Sequence, residues 1–168
     1  MTQLFLPADF VVPAGVRTSH FHLRGITVAD VVKDYAAVMT SRERLWSLFG
    51  EAWGWPAKDL SLEQDLADLG WHQVEAQHRS SFNYAVLDRE ERELLGCVYI
   101  DPPTGQGYDA EVCYWIRTDR LDGGLEEDLG AAVRAWLRDE WPFGAVAYPG
   151  RELTWSQLRA SPVRPSDR

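Results

Sequence analysis

The chain has only two cysteines, Cys97 and Cys113, in 168 residues. They lack the paired spacing of a thiol metal site, and each lies in an apolar, strand-like run, so both read as buried free thiols. Positive charge is also scarce: 17 Lys and Arg stand against 26 Asp and Glu, a net charge of −9. That balance argues against a nucleic-acid or anionic membrane partner while leaving room for a local basic pocket. No segment approaches the roughly eighteen consecutive apolar residues that a spanning helix needs. The opening MTQLFLPADFVVPAGV also lacks a basic stretch followed by a long apolar core. These absences predict a cytoplasmic protein. No Ser-His-Asp order, Walker loop or Cys-rich cluster is present. His20 and His22 share a strand face without a third ligand at a supporting spacing, His72 and His78 read as helix-surface residues, and no metal site is expected.

What the chain does have is the composition of a folded domain: 45% apolar residues, 26% charged residues and eight tryptophans. At this length one core buries roughly two-thirds of the unfolded surface, so residues 1–168 are expected to form a single domain. Residues 1–18 read as an arm lying on that domain, and 150–168 as an irregular tail with one short helix and a disordered end. A strand is expected near His20–Arg24, then a helix capped by Thr27 and a second helix over Ser41–Phe49, broken at Trp53-Gly-Trp-Pro56. Ser61 opens another helix that carries Leu62, Leu66 and Leu69 toward His78, with Gly70 as a point of interruption. The period then changes to strands at 82–87, 94–100 and 110–116, joined by the polar DREERE and PPTGQG turns as antiparallel neighbours. Leu125, Leu129, Val133, Trp136 and Leu137 form a helical stripe closed by Trp141-Pro142. A short strand over 144–148 then lies parallel to 110–116, because a full helix connects the two.

The most informative stretch is AEVCYWI, the turn R-T-D-R-L-D-G-G, and the helix opening at Leu125. A strand feeding through a Gly-containing turn into a helix N-terminus brings free backbone amides and a positive dipole end together, which suits a phosphate or pyrophosphate. This order of elements, with FHLRGITVAD at the start and AEVCYWIRTDRLDGG before the turn, resembles the GNAT-family N-acetyltransferases, in particular their ribosomal-protein N-terminal branch. The resemblance spans roughly residues 20–148 by element order. It implies an α+β (α/β) fold with a mixed, mostly antiparallel central sheet and helices on both faces. It also implies acetyl-CoA as co-substrate, and as acceptor a small amine or a peptide N-terminus that attacks the thioester directly. The family's turn reads Gln or Arg, two residues, Gly, one residue, then Gly or Ala. Arg120-Leu-Asp-Gly123-Gly-Leu125 supplies the Arg and the first Gly but ends on Leu, and the register shifted by one ends on Glu126.

Under this resemblance, Arg120 and the backbone of Gly123, Gly124 and Leu125 would bind the coenzyme phosphates, and main-chain groups of Ile116 and Arg117 the pantetheine. Glu126, Glu127 and Asp128 crowd the first helical turn and oppose an incoming pyrophosphate. Glu111 shares a strand face with Cys113 and Trp115, a partly desolvated setting that suits a base for the attacking amine; pairing with Arg117 or a neighbouring cation is its plain structural use. The family usually continues past the fifth strand with a further helix and two strands, which often supply the tyrosine that protonates the departing thiolate. Here Tyr148, with Trp155, is the nearest aromatic, and Tyr148 is the candidate for that step. Trp53, Trp55 and Trp71 cluster where an acceptor would sit, although core packing is the commoner use of tryptophan. A homodimer is one way to cover an incomplete sheet edge. The alternative to an enzyme is a non-catalytic GNAT-like domain that binds a ligand or partner, and a filled cleft at the turn would favour it.

Overall fold

Capping residues set where two of the helices begin. Ser61 Oγ accepts from Gln64 N–H at 3.2 Å while Ser61 N–H donates to the Gln64 side chain at 2.8 Å; Thr154 and Gln157 exchange the same pair of bonds. Each box satisfies amides that a helix start leaves without partners. The structure is a computed structural model that describes residues 5–161, so the expected disordered end at 162–168 lies outside the described residues. In chain order the elements are β1 (Gly15–Arg17), β2 (His22–Gly25), α1 (Val31–Thr40), α2 (Arg42–Trp53) and α3 (Leu62–Gln77). There follow β3 (Phe82–Leu87), β4 (Leu94–Asp101), β5 (Ala110–Ile116), α4 (Leu125–Glu140), β6 (Val146–Ala147) and α5 (Trp155–Arg159).

Two details differ from expectation. The stretch read as a bare arm contains β1, which pairs antiparallel with β2; three residues are too few to display a period. Helix α3 runs through Gly70 for 16 residues. A glycine costs a helix only about 1 kcal/mol, and the Ser61 cap together with buried Leu69 and Asp65 holds the segment on both sides.

The sheet order is β1-β2-β3-β4-β5-β6, antiparallel except for the parallel β5–β6 pair. Period-two alternation sends Tyr84, Val98, Val112 and Tyr114 to one face, where they pack on Leu129, Val133 and Trp136 of α4. Ala85, Cys97, Cys113 and Trp115 face the other way, onto Val38, Leu45, Phe49 and Leu69 of α1–α3 and Trp155 of α5. Helices thus cover both faces, every residue of β3 and β5 is buried, and both cysteines are buried free thiols. Such strands read as continuous apolar runs, which is why they stood out in the sequence.

The β3–β4 register slips beside Val86, leaving one extra residue on β4 next to Gly96. A Cβ at Gly96 would lie 1.8 Å from the carbonyl oxygen of Trp115 on β5, so the strands approach only because that side chain is missing. Gly96→Val is therefore expected to cost about 3 kcal/mol and lower Tm by roughly 10 °C. A calorimetric melt that leaves Tm unchanged would show that the bulge relaxes without cost.

Candidate functional site

The β5–β6 ladder is two residues long, Ala110↔Val146 and Glu111↔Ala147. Beyond it the strands part, and the edge of β5 turns main-chain groups toward the gap. Side chains of the protein take those groups. Arg151, in the turn after β6, donates to Tyr114 O at 2.8 Å and lies 4.2 Å above the Tyr114 ring. Arg44 of α2 donates to Ile116 O at 2.9 Å. Ile116 N–H donates to Glu126 Oε1 at 3.0 Å.

Glu126 joins these pieces. Arg44 Nη2 reaches its two oxygens at 2.8 and 2.6 Å, and Arg151 Nη1 reaches Oε2 at 3.0 Å. Burial opposes ionisation of this carboxyl, but Arg151, Arg44 and the Ile116 amide outweigh it and hold its pKa below the ordinary value. Glu126 is also the position at which the family turn, in its shifted register, has Gly or Ala. A small cavity of about 10 Å³ lies beside Leu48, Phe49, Cys113, Tyr114 and Arg151, about the space of one water molecule.

The other sequence-predicted residues are only partly gathered. Ile116, Gly123, Gly124 and Leu125 lie together, with Gly123 and Gly124 at φ 86 and 79 making the left-handed entry to α4. Arg117 pairs with Asp119, and Arg120 is held by Glu93 at 2.7 and 2.9 Å. Glu111, at the opposite end of β5, accepts from Thr104 N–H and Oγ1 at 2.9 and 2.8 Å and so ties down the 102–109 loop. Tyr148 belongs to the α4-side core under the Arg134 guanidinium, 3.8 Å from its ring centroid, and burial pushes its hydroxyl up to about 12. Glu111 and Tyr148 thus sit on opposite faces of the sheet. Sequence reasoning missed Arg44 and Arg151, which reach Glu126 from 82 and 25 residues away. The only local signal was a glutamate where the pattern has a small residue.

A second cavity of about 280 Å³ lies between α1, α3 and the β3–β4 surface. Trp53, Trp55 and Trp71 all line it, and Trp71 is 63% exposed and Trp53 39%, so these indoles are not simply core. Its carboxyls include Asp34, Asp65 and Asp101, and among the described residues no Lys or Arg lines it. Asp34 accepts from the Cys97 thiol at 3.4 Å; among the described residues no donor reaches Asp65 Oδ2, while Asp34 and His72 lie close enough to Asp65 to favour its ionised form. Burial, with the Asp65 charge beside it, drives Asp34 well above the ordinary carboxylate range. Burial likewise lifts Asp65 and Asp101 from 3.8 to about 6.

A carboxyl with a raised folded pKa binds its proton more tightly folded than unfolded, so Asp65 and Asp101 make the fold more stable as pH falls from above 6 toward 4. Glu126 and Asp30, whose pKa values are lowered, lose stabilisation only below the ordinary carboxylate range. Tm is therefore expected to rise by a few degrees between about pH 7.5 and 5.5, and the rise to shrink in Asp65→Asn. A thermal melt series that falls monotonically over that interval would contradict the assignment.

A family model described as an acetyltransferase (GNAT) domain matches residues 20–160. No curated protein matches the chain. Among solved structures, the ribosomal-protein-S5-alanine acetyltransferase of Vibrio fischeri aligns with TM-score 0.56 at 18% identity, covering 74% of this chain and 67% of that one. The ribosomal L7/L12 α-N-protein acetyltransferase RimL gives 0.54 at 16%, covering 81% and 71%. The microcin C7 self-immunity acetyltransferase MccE, in complex with acetyl-CoA and AMP, gives 0.57 at 12%, covering 80% and 71%. At these identities the structures establish the fold alone, while the family model covers most of the sequence: the chain belongs to the GNAT acetyltransferase family.

Proposed function

We propose that this chain is a non-catalytic, ligand-binding member of the GNAT family whose coenzyme slot is filled by its own side chains. The observation that carries the reading is Glu126, which occupies the Ile116 amide expected to hold pantetheine and pairs with Arg44 and Arg151. An incoming coenzyme would have to expel that carboxylate. Breaking a buried ion pair by removing one partner costs about 3–5 kcal/mol, and this carboxylate has two such partners, Arg44 and Arg151. Glu127 and Asp128 add charge of the wrong sign for a pyrophosphate at the start of α4.

The second reading is an acetyl-CoA-dependent N-acetyltransferase of a small amine or a peptide N-terminus, with direct attack on the thioester. The family match and the two-residue β5–β6 ladder favour it. In that reading Glu126 swings out and releases Arg44 and Arg151 toward the coenzyme phosphates, beside the Gly123–Leu125 amides and Arg120. Glu111 would deprotonate the amine and Tyr148 protonate the thiolate. Their placement on opposite faces of the sheet counts against that pairing.

Calorimetric titration with acetyl-CoA and CoA, at low and moderate salt, separates the two. The first reading expects no binding by the unmodified protein. It also expects Glu126→Ala to lose about 3 kcal/mol of stability and to gain affinity for CoA through the two freed arginines. Micromolar binding by the unmodified protein, abolished by bulky replacements of Gly123 and Gly124, would overturn it in favour of the transferase.

A further inference from the structure

We propose that the outer face of α3, with the chain entering α1 beside it, is the contact surface for a second copy of this protein, packed as an antiparallel pair of α3 helices. Leu62, Leu66, Gly70 and Val74 recur every four residues along α3, on a side distinct from that of buried Asp65 and Leu69. The three side chains of this row are all exposed, Leu66 to 44%. The chain entering α1 runs antiparallel beside α3, since Val28 N–H donates to the Gln73 side chain at 2.8 Å and Tyr35 OH to Leu60 O at 3.0 Å. It extends the apolar face with Val28 and, one turn further on, with Val32, which is 69% exposed. A helix with one apolar side packed on its own sheet and a second turned to solvent marks an interaction surface.

Gly70 points to the occupant. Its backbone is not left-handed, and a Cβ placed there would meet only Val28 Cγ1, at 3.8 Å, an ordinary contact. Nothing among the described residues therefore requires a glycine, which weakens a helix interior. A row spaced at four is a ridge that packs on its own copy at about 50°, and a two-fold contact requires a surface complementary to itself. An antiparallel pairing centred at residue 68 sets Leu66 over the partner's Gly70 and Leu62 beside the partner's Val74, so the missing side chain receives a large one. The same register places Glu63 against the partner's Gln73, and Asp68 and Glu75 turn instead toward the cavity they line. No carboxylate of α3 then meets another across the contact. A basic helix would find only Glu63 beside this row to pair with, and α3 carries no Lys or Arg to receive an acidic one.

This contact is independent of whether the coenzyme slot is filled. Sedimentation velocity of the full chain, from about 1 to about 300 μM, is expected to show monomer and dimer in equilibrium with a dissociation constant on the order of 10 μM, the strength of a small interface. Leu66→Gln is expected to weaken the dimer at least tenfold, and Trp46→Gln, at an exposed apolar position on α2, to leave it unchanged. Gly70→Gln is the sharper variant. It is expected to raise the Tm of dilute protein, because glutamine suits a helix interior better than glycine, and yet to weaken the dimer at least tenfold; a role for Gly70 inside the chain would do the reverse. A monomer at every concentration would overturn the proposal and leave the face for a different protein. A dimer whose midpoint ignores Leu66→Gln and Gly70→Gln would overturn it in favour of another surface, such as the sheet edge at β1, and so would a lowered Tm in dilute Gly70→Gln with the dimer intact.

Discussion

The carboxylate of Glu126 ties together four parts of the chain: α4 that bears it, β5 through the Ile116 amide, α2 through Arg44, and the turn after β6 through Arg151. Burying a carboxylate and two guanidinium groups carries a large desolvation cost, offset only when the geometry is close and the remaining lone pairs are satisfied. Here they are. The two arginines also cap Tyr114 O and Ile116 O, so strand edge, ion pair and helix start form one hydrogen-bonded unit. The rest of the parted β5–β6 edge depends on this unit, since the ladder itself stops at Glu111 and Ala147.

The sheet explains why charge gathers where it does. With β3 and β5 buried throughout, ionisable groups can enter the interior only at strand ends and in the layer between sheet and helices. Three sites of this sort have three outcomes. Glu126 is matched by cations of the protein and ionises readily. Glu111 is satisfied by a neutral loop, through the Thr104 amide and hydroxyl. Asp34 and Asp65 face a cavity whose wall carries His72 but, among the described residues, no Lys or Arg, and burial pushes both toward the protonated form. The same residue class thus reports closure in one place, anchoring in another and openness in the third, and local partners decide which.

Most of the architecture was legible because its signals are local or periodic. The apolar runs at 82–87, 94–100 and 110–116, the stripe from Leu125 to Leu137, and the parallel return at 146–147 all follow from spacing and connection length. What escaped was short or distant. Strand β1 has three residues, and its pairing with β2 supplies an order that its own sequence does not encode. Arg44 sits 82 residues from the glutamate it binds, with no pattern linking them. The tryptophans show a different limit: an indole that walls a cavity and one that fills a core look alike in sequence. Only the exposure of Trp53 and Trp71 separates them.

The turn between β5 and α4 combines the backbone of an anion site with side chains of the opposite sign. Two consecutive left-handed glycines still carry the chain into a helix whose first amides face outward, the geometry that would receive an anion. The sequence supplies the anions itself, with Glu126, Glu127 and Asp128 in the first turn. Two of them neutralise the dipole from the surface, and Glu126 reaches back into the gap. A small residue at that one position would leave the Ile116 amide free and two guanidinium groups turned toward an empty slot, a site attractive to a diphosphate. With the glutamate, the same arginines and the same amide are satisfied internally and hold the domain together. On the scaffold that family membership fixes, the identity of residue 126 decides whether the Ile116 amide and the two guanidinium groups find their partner within the chain.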